Sequence, residues 1–143
     1  MFDEKLLSEL EIVAHRGAET ASVSLTTLLN SHVSVTVNGV DWINVEDIPE
    51  IMEGAEEYCV ALISRVLGDI EGNSILLFSA EDSVGLVDNL GSKAETVDEF
   101  GALEFSMLQE TANITISSFM NSVTLHLGHG CIPNAPSYKY DMA

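Results

Sequence analysis

The chain has 143 residues, 46% of them apolar, and carries 23 Asp and Glu against 5 Lys and Arg. This length and apolar content suit one domain with its own core, and the net charge of −18 argues against nucleic acid and anionic membranes as partners, because both attract basic surfaces. No apolar run approaches the ~18 residues that a membrane span needs, residues 1–5 lack the features of a signal peptide, and two cysteines make no disulfide framework. We therefore expect a cytoplasmic protein.

The first third of the chain predicts a long helix and then a strand. Leu, Val and Ala recur at three- and four-residue steps over about 3–29, which is typical of an amphipathic helix that Asp3 can cap. Residues 33–37 alternate valine with Ser and Thr, the period-two pattern of a half-buried strand, and residues 38–39 have turn chemistry. Residues 42–51 show no period and are predicted to be an extended connection with a short strand or turn.

The middle of the chain predicts a β-hairpin followed by a short helix. Residues 58–67 and 74–79 are rich in β-branched and apolar residues, and the segment 68–73 between them has the composition of a turn. A helix is predicted over 84–90, opened by the acidic residues just before it and stopped by Gly91.

The last third predicts a second long helix and a final strand. Thr96 with Glu99 three residues later matches a capping box, and an apolar helical period then runs over 97–121. Residues 122–127 are predicted to form a strand and residues 128–131 a turn, before a tail that contains proline.

The two long helices have related sequences. At an offset of 98 residues the following pairs match: Ser8 with Ser106, Leu10 with Leu108, Ala14 with Ala112, Ser24 with Ser122, and Thr26 with Thr124. Each helix precedes strand-like sequence, so an internal duplication explains the order of elements. We therefore predict a single α+β domain over 1–143, made of two pseudo-repeats at about 3–67 and 95–143 that a strand and a short helix join. The two long helices would run antiparallel and pack on a mainly antiparallel sheet.

A polar stripe on the second long helix is the candidate functional site. Ser106, Glu110 and Asn113 are spaced four and then three residues apart, so their side chains share one face. Leu108 and Ala112 mark a different, apolar face. A carboxylate and a carboxamide one turn apart could hold a water molecule and a partner's cation together. A solvated helix face carries the same residue types, and the spacing fits both interpretations.

The stripe and its surroundings resemble the CheC/CheX/FliY family of chemotaxis phosphatases, and most of all CheC. The family's motif, Asp or Ser followed by x3-Glu-x2-Asn on a long helix, occurs here as Ser106-x3-Glu110-x2-Asn113. In CheC the motif occurs twice, and residues 17–21 stand where a run of small residues follows its first copy. Residues 131–136 resemble the proline-containing segment that leads into a later strand of the family. The resemblance covers nearly the whole chain.

The resemblance implies a phosphatase that hydrolyses the aspartyl phosphate of phosphorylated CheY. Asn113 would orient the attacking water, Glu110 would pair with a lysine of CheY, and Ser106 would support the helix face. The Mg²⁺ of that reaction belongs to CheY, so the chain would need no cofactor of its own.

The first helix departs from the family's motif. At the offset of 98 residues, Ser8, Ile12 and His15 stand at the three motif positions. This copy would therefore be a degenerate site, which leaves one site for each chain. CheC-like chains also continue with further strands after the segment that matches residues 141–143. An incomplete sheet would expose an edge, which favours pairing of subunits into a homodimer.

Two other functions remain open. The chain could be a non-catalytic adaptor that binds CheD or phosphorylated CheY, because folds often outlast their chemistry. Alternatively, His126, His129 and Cys131 carry donor atoms that bind metal ions. Their spacing lacks the usual paired-ligand pattern, so we expect no metal site.

Overall fold

A computed structural model describes residues 4–48 and 58–142. The α-helices and β-strands in these ranges are α1 (Glu4–Leu29), β1 (Tyr58–Gly68), β2 (Gly72–Ser79), α2 (Ala80–Asn89), α3 (Ala102–Leu127), β3 (Cys131–Pro133) and β4 (Ser137–Met142). Short 3-10 turns lie at Val45–Asp47 and Val97–Glu99. Within the two described ranges, no helix combines the length and the apolar content that crossing a membrane requires. The predicted cap at Asp3, and the end of the connection predicted over 42–51, fall outside the described residues.

The sheet is built around β1. β2 pairs antiparallel with one edge of β1, which confirms the predicted hairpin. β3 lies opposite residues 66–68 on the other edge of β1, and β4 lies opposite residues 58–63 on that same edge, both antiparallel. The chain bends between β3 and β4, where Asn134 N donates to Arg65 O at 2.8 Å and Ser64 Oγ donates to Asn134 O. The predicted α+β class with an antiparallel sheet is confirmed.

The core lies between α3 and the sheet. Val60 and Leu62, which alternate on one face of β1, pack in one cluster with Leu108, Ala112 and Ile116 of α3. None of the five is more than 4% exposed. Burying a large aliphatic side chain contributes roughly 1.5–3 kcal/mol, so this cluster decides which face of α3 points inward. Both predicted apolar positions, Leu108 and Ala112, are on that inward face.

α1 packs antiparallel against α3. Ser122 Oγ donates to Val13 O at 2.8 Å. One turn further along α1, a Cβ at Gly17 would stand 2.8 Å from Phe119 Cδ1 and 3.0 Å from Phe119 Cα, so the glycine allows this close approach. The contact made by Val13 is with Ser122, and the contact made by Gly17 is with Phe119. Residue numbers therefore increase along α1 as they decrease along α3, as expected for the predicted antiparallel pair.

Residues 33–37, after α1, belong to no sheet ladder among the described residues, so the strand predicted there is wrong. The alternation itself is real, since Val33 and Val35 are half-buried and the polar residues next to them are exposed. Thr26 Oγ1 donates to Val33 O at 3.0 Å and accepts from Val33 N at 2.9 Å. Val35 N donates to Ser22 Oγ at 2.8 Å. A period of two indicates that one side of a segment is buried, and here that side packs against α1 rather than against a sheet.

α3 starts later and ends later than predicted. Residues 97–99 form a 3-10 turn, the helix begins at Ala102, and Gly128, with φ 75°, follows its last residue. The strand predicted over 122–127 is therefore wrong. Its β-branched residues suggest a strand locally, but Ser122 is held against α1 as part of the helix.

The capping box predicted at Thr96 and Glu99 is also wrong, because the helix begins further along the chain. Thr96 makes no side-chain capping hydrogen bond, and Glu99 Oε2 accepts from Glu95 N at 2.8 Å. At the true start of α3, Glu104 Oε1 accepts from Gly101 N at 2.9 Å.

α2 begins at Ala80, before the predicted start at residue 84. Ser79 is its N-cap, with Asp82 N donating to Ser79 Oγ at 3.0 Å. Gly91, with φ 98°, follows the helix as predicted. β3 and β4 were not predicted from the sequence, because both are short and the prolines at 133 and 136 lie at the end of β3 and just before β4.

The offset found in the sequence recurs in the structure. Adding 98 carries α1 onto α3, Glu4 to Ala102 and Leu29 to Leu127, and both helices have 26 residues. The same offset relates two hydrogen bonds from a backbone N–H to a threonine hydroxyl, Val33 to Thr26 and Cys131 to Thr124. These correspondences support the predicted duplication, which stays a prediction. α3 lies directly on the sheet, and α1 lies against α3.

Candidate functional site

The predicted stripe lies on the outer side of α3. Ser106 and Glu110 are exposed and Asn113 is half-buried, while the neighbouring Leu108 and Ala112 are fully buried. At ~1.5 Å of rise per residue, Glu110 and Asn113 stand about 4.5 Å apart along the helix axis, close enough for one small group to contact both side chains. The helix therefore brings the three predicted residues onto one face, and their function stays a prediction.

Aromatic contacts set the rotation of α3. Phe105 stacks on Tyr138 of β4, with ring centroids 3.9 Å apart and planes at 7°, and meets Phe100 edge-on at 5.6 Å. Gln109 Nε2 donates to Pro136 O at 3.1 Å. Because these contacts hold one side of the helix to β4 and the bend before it, Ser106 and Glu110 are left facing outward.

The start of α3 is held by the Glu104 carboxylate. It accepts from Gly101 N and, at 3.1 Å, from Ser92 Oγ. The hydrogen bond from the Gly101 backbone is the main reason that the pKa of Glu104 is lowered; desolvation opposes this, and the bonds from Ser92 and from the backbone of Glu104 add to it. The ionised carboxylate thus fixes the loop before α3, and with it the first turn below Ser106.

An apolar groove of about 330 Å³ adjoins the stripe. Its lining comes from three helices or their ends: Leu28, Leu29, Leu90, Leu103, Ser106, Met107, Glu110 and Thr111. Leu103 is 63% exposed and Leu28 is 48% exposed, so apolar surface is open to solvent beside the polar stripe. Sequence reasoning missed this groove, although Leu103 and Met107 share one face of the helix one turn apart.

The stripe on α1 has a different character. Ser8 and His15 are exposed, and Ile12 is 43% exposed. A second cavity, of about 410 Å³, lies between α1 and residues 34–37 and includes His15 in its lining. An aliphatic side chain at position 12 can neither pair with a cation nor hold water, so the α1 stripe lacks the donor set of the α3 stripe.

A polar cluster joins α1 to the end of α3, and sequence reasoning missed it too. His126 Nε2 lies 2.5 Å from Glu9 Oε2, and His126 Nδ1 lies 3.4 Å from a guanidinium nitrogen of Arg16. Glu9 and Arg16 are two turns apart on α1, but His126 is more than 100 residues away, so only the packing of the two helices brings it to them.

The metal alternative finds no ligand set in the described part of the chain. Within residues 4–48 and 58–142, no group of three or more His, Cys, Asp or Glu side chains could hold a metal ion. His126 is engaged with Glu9, and the buried Cys131 thiol lies 3.6 Å from the carbonyl of His129 rather than beside its ring. The structure does not bring His126, His129 and Cys131 together as ligands.

The fold matches several solved structures, among them FliY and a FliM domain. FliY from Thermotoga maritima superposes with a TM-score of 0.81 at 15% identity, over 99% of this chain and 71% of that one. The FliM middle domain from Vibrio alginolyticus superposes with a TM-score of 0.68 at 18% identity, over 90% of this chain and 72% of that one. No family model matches the sequence. The predicted CheC/FliY type of fold is confirmed, and the likeness to CheC in particular stays a prediction.

Proposed function

We propose that this chain is a chemotaxis phosphatase of the CheC/FliY family that hydrolyses the aspartyl phosphate of phosphorylated CheY in the cytoplasm. The observation that carries the proposal is the Glu110–Asn113 pair on an outward helix face of a fold shared with FliY. The family motif that the sequence matches adds residue roles to that geometry.

The chemistry asks little of the protein. An aspartyl phosphate is a reactive acyl phosphate, so a phosphatase accelerates its hydrolysis by positioning water and the partner's own site. The water oxygen attacks phosphorus in line, the bond from phosphorus to the aspartate oxygen breaks, and inorganic phosphate leaves a free carboxylate on the partner. This chain needs no nucleophile of its own.

Each residue of the stripe has a role in this scheme. The Asn113 carboxamide can accept a hydrogen bond from the attacking water and donate to a phosphoryl oxygen. Glu110 supplies the anion that pairs with a lysine of CheY and sets the angle of approach. Ser106, one turn before Glu110, supports the helix face. The Mg²⁺ that neutralises the phosphoryl group belongs to CheY.

The exposure of the pair suits a task performed on a partner. Across the described residues, neither the Glu110 carboxylate nor the Asn113 carboxamide is taken up by a hydrogen bond within the chain, and Glu110 is exposed. Both groups are therefore available to a second protein. A pair that served the fold would be bonded to its own chain, as Glu104 is.

The test is the decay of phosphorylated CheY with this protein, with Asn113→Ala, and with His15→Ala as the matched control on the other stripe. We expect Asn113→Ala to lower the stimulated rate by at least ~100-fold, since misplacing the attacking group costs about that much. His15→Ala should keep the parent rate, and circular dichroism should be the same for all three.

Two results would contradict the phosphatase proposal. Asn113→Ala clearing phosphorylated CheY at the parent rate would remove Asn113 from the reaction. A parent protein that binds phosphorylated CheY, or CheD, without accelerating decay would point to the adaptor function instead. The oligomeric state measured in the same preparation tests the proposed homodimer.

A further inference from the structure

We propose that the apolar groove beside the stripe is the docking pocket for the partner of this site, and that it takes an aliphatic or aromatic side chain lying next to the basic residue that pairs with Glu110. This rests on the proposed function, because the partner is phosphorylated CheY. The groove decides which partners bind, and the Glu110–Asn113 pair acts after they have bound.

The shape and composition of the groove favour an apolar guest. Leu28 and Leu29 from the end of α1, Leu90 after α2, and Leu103 and Met107 from α3 form its walls. A volume of about 330 Å³ is enough for one large side chain, and it lies at the lower end of the range for pockets that hold small ligands. Leucine and methionine adapt easily to a guest, which suits a contact made by one anchoring side chain.

The charge around the groove further restricts which partner segments can bind there. Glu110 is the charged residue among those that line the groove, and the chain as a whole carries a net charge of −18. A partner segment that is apolar and acidic would be repelled by both. A segment that carries an apolar side chain beside a lysine or arginine satisfies the groove and the carboxylate together.

Comparison with the equivalent positions in the other half of the molecule links the groove to the Glu110–Asn113 pair. The offset of 98 places His126 at the position of Leu28 and Glu9 at the position of Met107, so an apolar pair on one side becomes a hydrogen-bonded polar pair on the other. Lys5 stands at the position of Leu103. In the half that lacks the Glu–Asn pair, three positions equivalent to the groove's apolar residues therefore carry ionisable side chains. The two features occur together, as a shared role in docking requires.

The experiment compares two double variants that remove apolar surface from α1 and α3. Leu28→Gln with Leu103→Gln empties the groove wall, and Val23→Gln with Leu125→Gln removes exposed apolar surface elsewhere, since Val23 is 69% and Leu125 is 85% exposed. All four positions are on the surface, so both variants should fold. Glutamine keeps the helix propensity and adds no charge.

We expect the groove variant to raise KM for phosphorylated CheY by about tenfold or more while kcat changes by less than about twofold, which is the signature of lost binding without lost chemistry. The control variant should match the parent. Equal KM values for the two double variants would overturn the inference, and so would a fall in kcat at unchanged KM.

A binding titration separates this inference from the proposed function. CheY carrying beryllofluoride, which mimics the aspartyl phosphate, is titrated against Asn113→Ala with and without the groove substitutions. Weaker binding by about tenfold supports the groove as the docking pocket even if the parent protein shows no phosphatase activity. Equal binding overturns the docking pocket, whatever the decay assay shows.

Discussion

The two halves of this molecule share a helix and differ in what covers it. α1 and α3 have the same length and the same threonine contact to the segment that follows. On α3 the apolar residues Leu108 and Ala112 are fully buried under the sheet, whereas the equivalent Leu10 and Ala14 of α1 are only half-buried. The polar faces differ as well, with Glu110 and Asn113 on one side only. A repeated helix therefore keeps its spacing for packing while its outer face is free to change.

The segments after the two helices show the same contrast. Residues 131–133 pair with β1. Residues 33–35 pair with no strand among the described residues and are hydrogen-bonded instead to the hydroxyl groups of Thr26 and Ser22 on α1. One segment is thus held by a sheet and the other by side chains of α1. The following three experiments probe this contrast, in order of decreasing effect on stability.

The largest effect should come from the close approach that holds the halves together. Gly17→Ala places a Cβ 2.8 Å from Phe119 Cδ1 and 3.0 Å from its Cα, so either side chain or backbone must move. Overpacking of this kind costs about 1–3 kcal/mol of unfolding free energy, which thermal or urea unfolding will measure. Gly85→Ala is the control, since nothing lies within 4 Å of its added Cβ, and it should stabilise α2 by about 0.5–1 kcal/mol. Equal stability changes in the two variants would contradict the tight crossing.

A smaller effect is expected from the two matched threonines. Thr26→Val removes the hydroxyl that bonds both Val33 N and Val33 O, and Thr124→Val removes the acceptor for Cys131 N. Each change should cost about 0.5–1.5 kcal/mol. Hydrogen exchange should separate them, because the Val33 amide loses the hydrogen bond that ties its segment to α1, whereas pairing with β1 still holds the 131–133 segment after the Cys131 amide loses Thr124. Equal acceleration of exchange at Val33 and Cys131 would show that the first segment is held by more than α1.

The smallest effect concerns the start of α3, whose anchoring carboxylate has a leucine, Leu6, at its equivalent in α1. Because the folded pKa of Glu104 is lowered from its ordinary 4.5, chiefly by the Gly101 backbone hydrogen bond, its carboxylate stabilises the fold above that ordinary value and this stabilisation is lost as pH falls through the folded pKa. Glu104→Gln should lower Tm at pH 7, and the difference from the parent should shrink as pH falls through the folded pKa of Glu104. Ser92→Ala should give a weaker shift of the same sign. A Tm difference that grows on acidification would contradict the assignment.

Much of the fold could be read from local periodicity. The bounds of α1 and the antiparallel hairpin of β1 and β2 follow from spacing and turn residues, and the stripe of Ser106, Glu110 and Asn113 follows from helical geometry alone. The errors arose where local preference competed with distant contacts. Residues 122–127 look like a strand, yet they stay helical because Ser122 packs on α1.

The features that the sequence did not indicate, the groove and the Glu9–Arg16–His126 cluster, depend on contacts between different helices. The groove needs leucines from α1, from the end of α2 and from α3, and the cluster of Glu9, Arg16 and His126 joins residues from opposite ends of the chain. No window of sequence contains such a set, so no period could indicate it.

Spacing along the chain was sufficient for the bounds of α1, the apolar face of α3 and the Glu–Asn pair, because each of these depends on residues within one or two turns of each other. Long-range packing decided which helix packs on the sheet, which element residues 33–37 contact, and where the apolar groove beside Glu110 forms. Those outcomes depend on which surfaces exclude water together, and that is a property of the assembled fold rather than of any one segment.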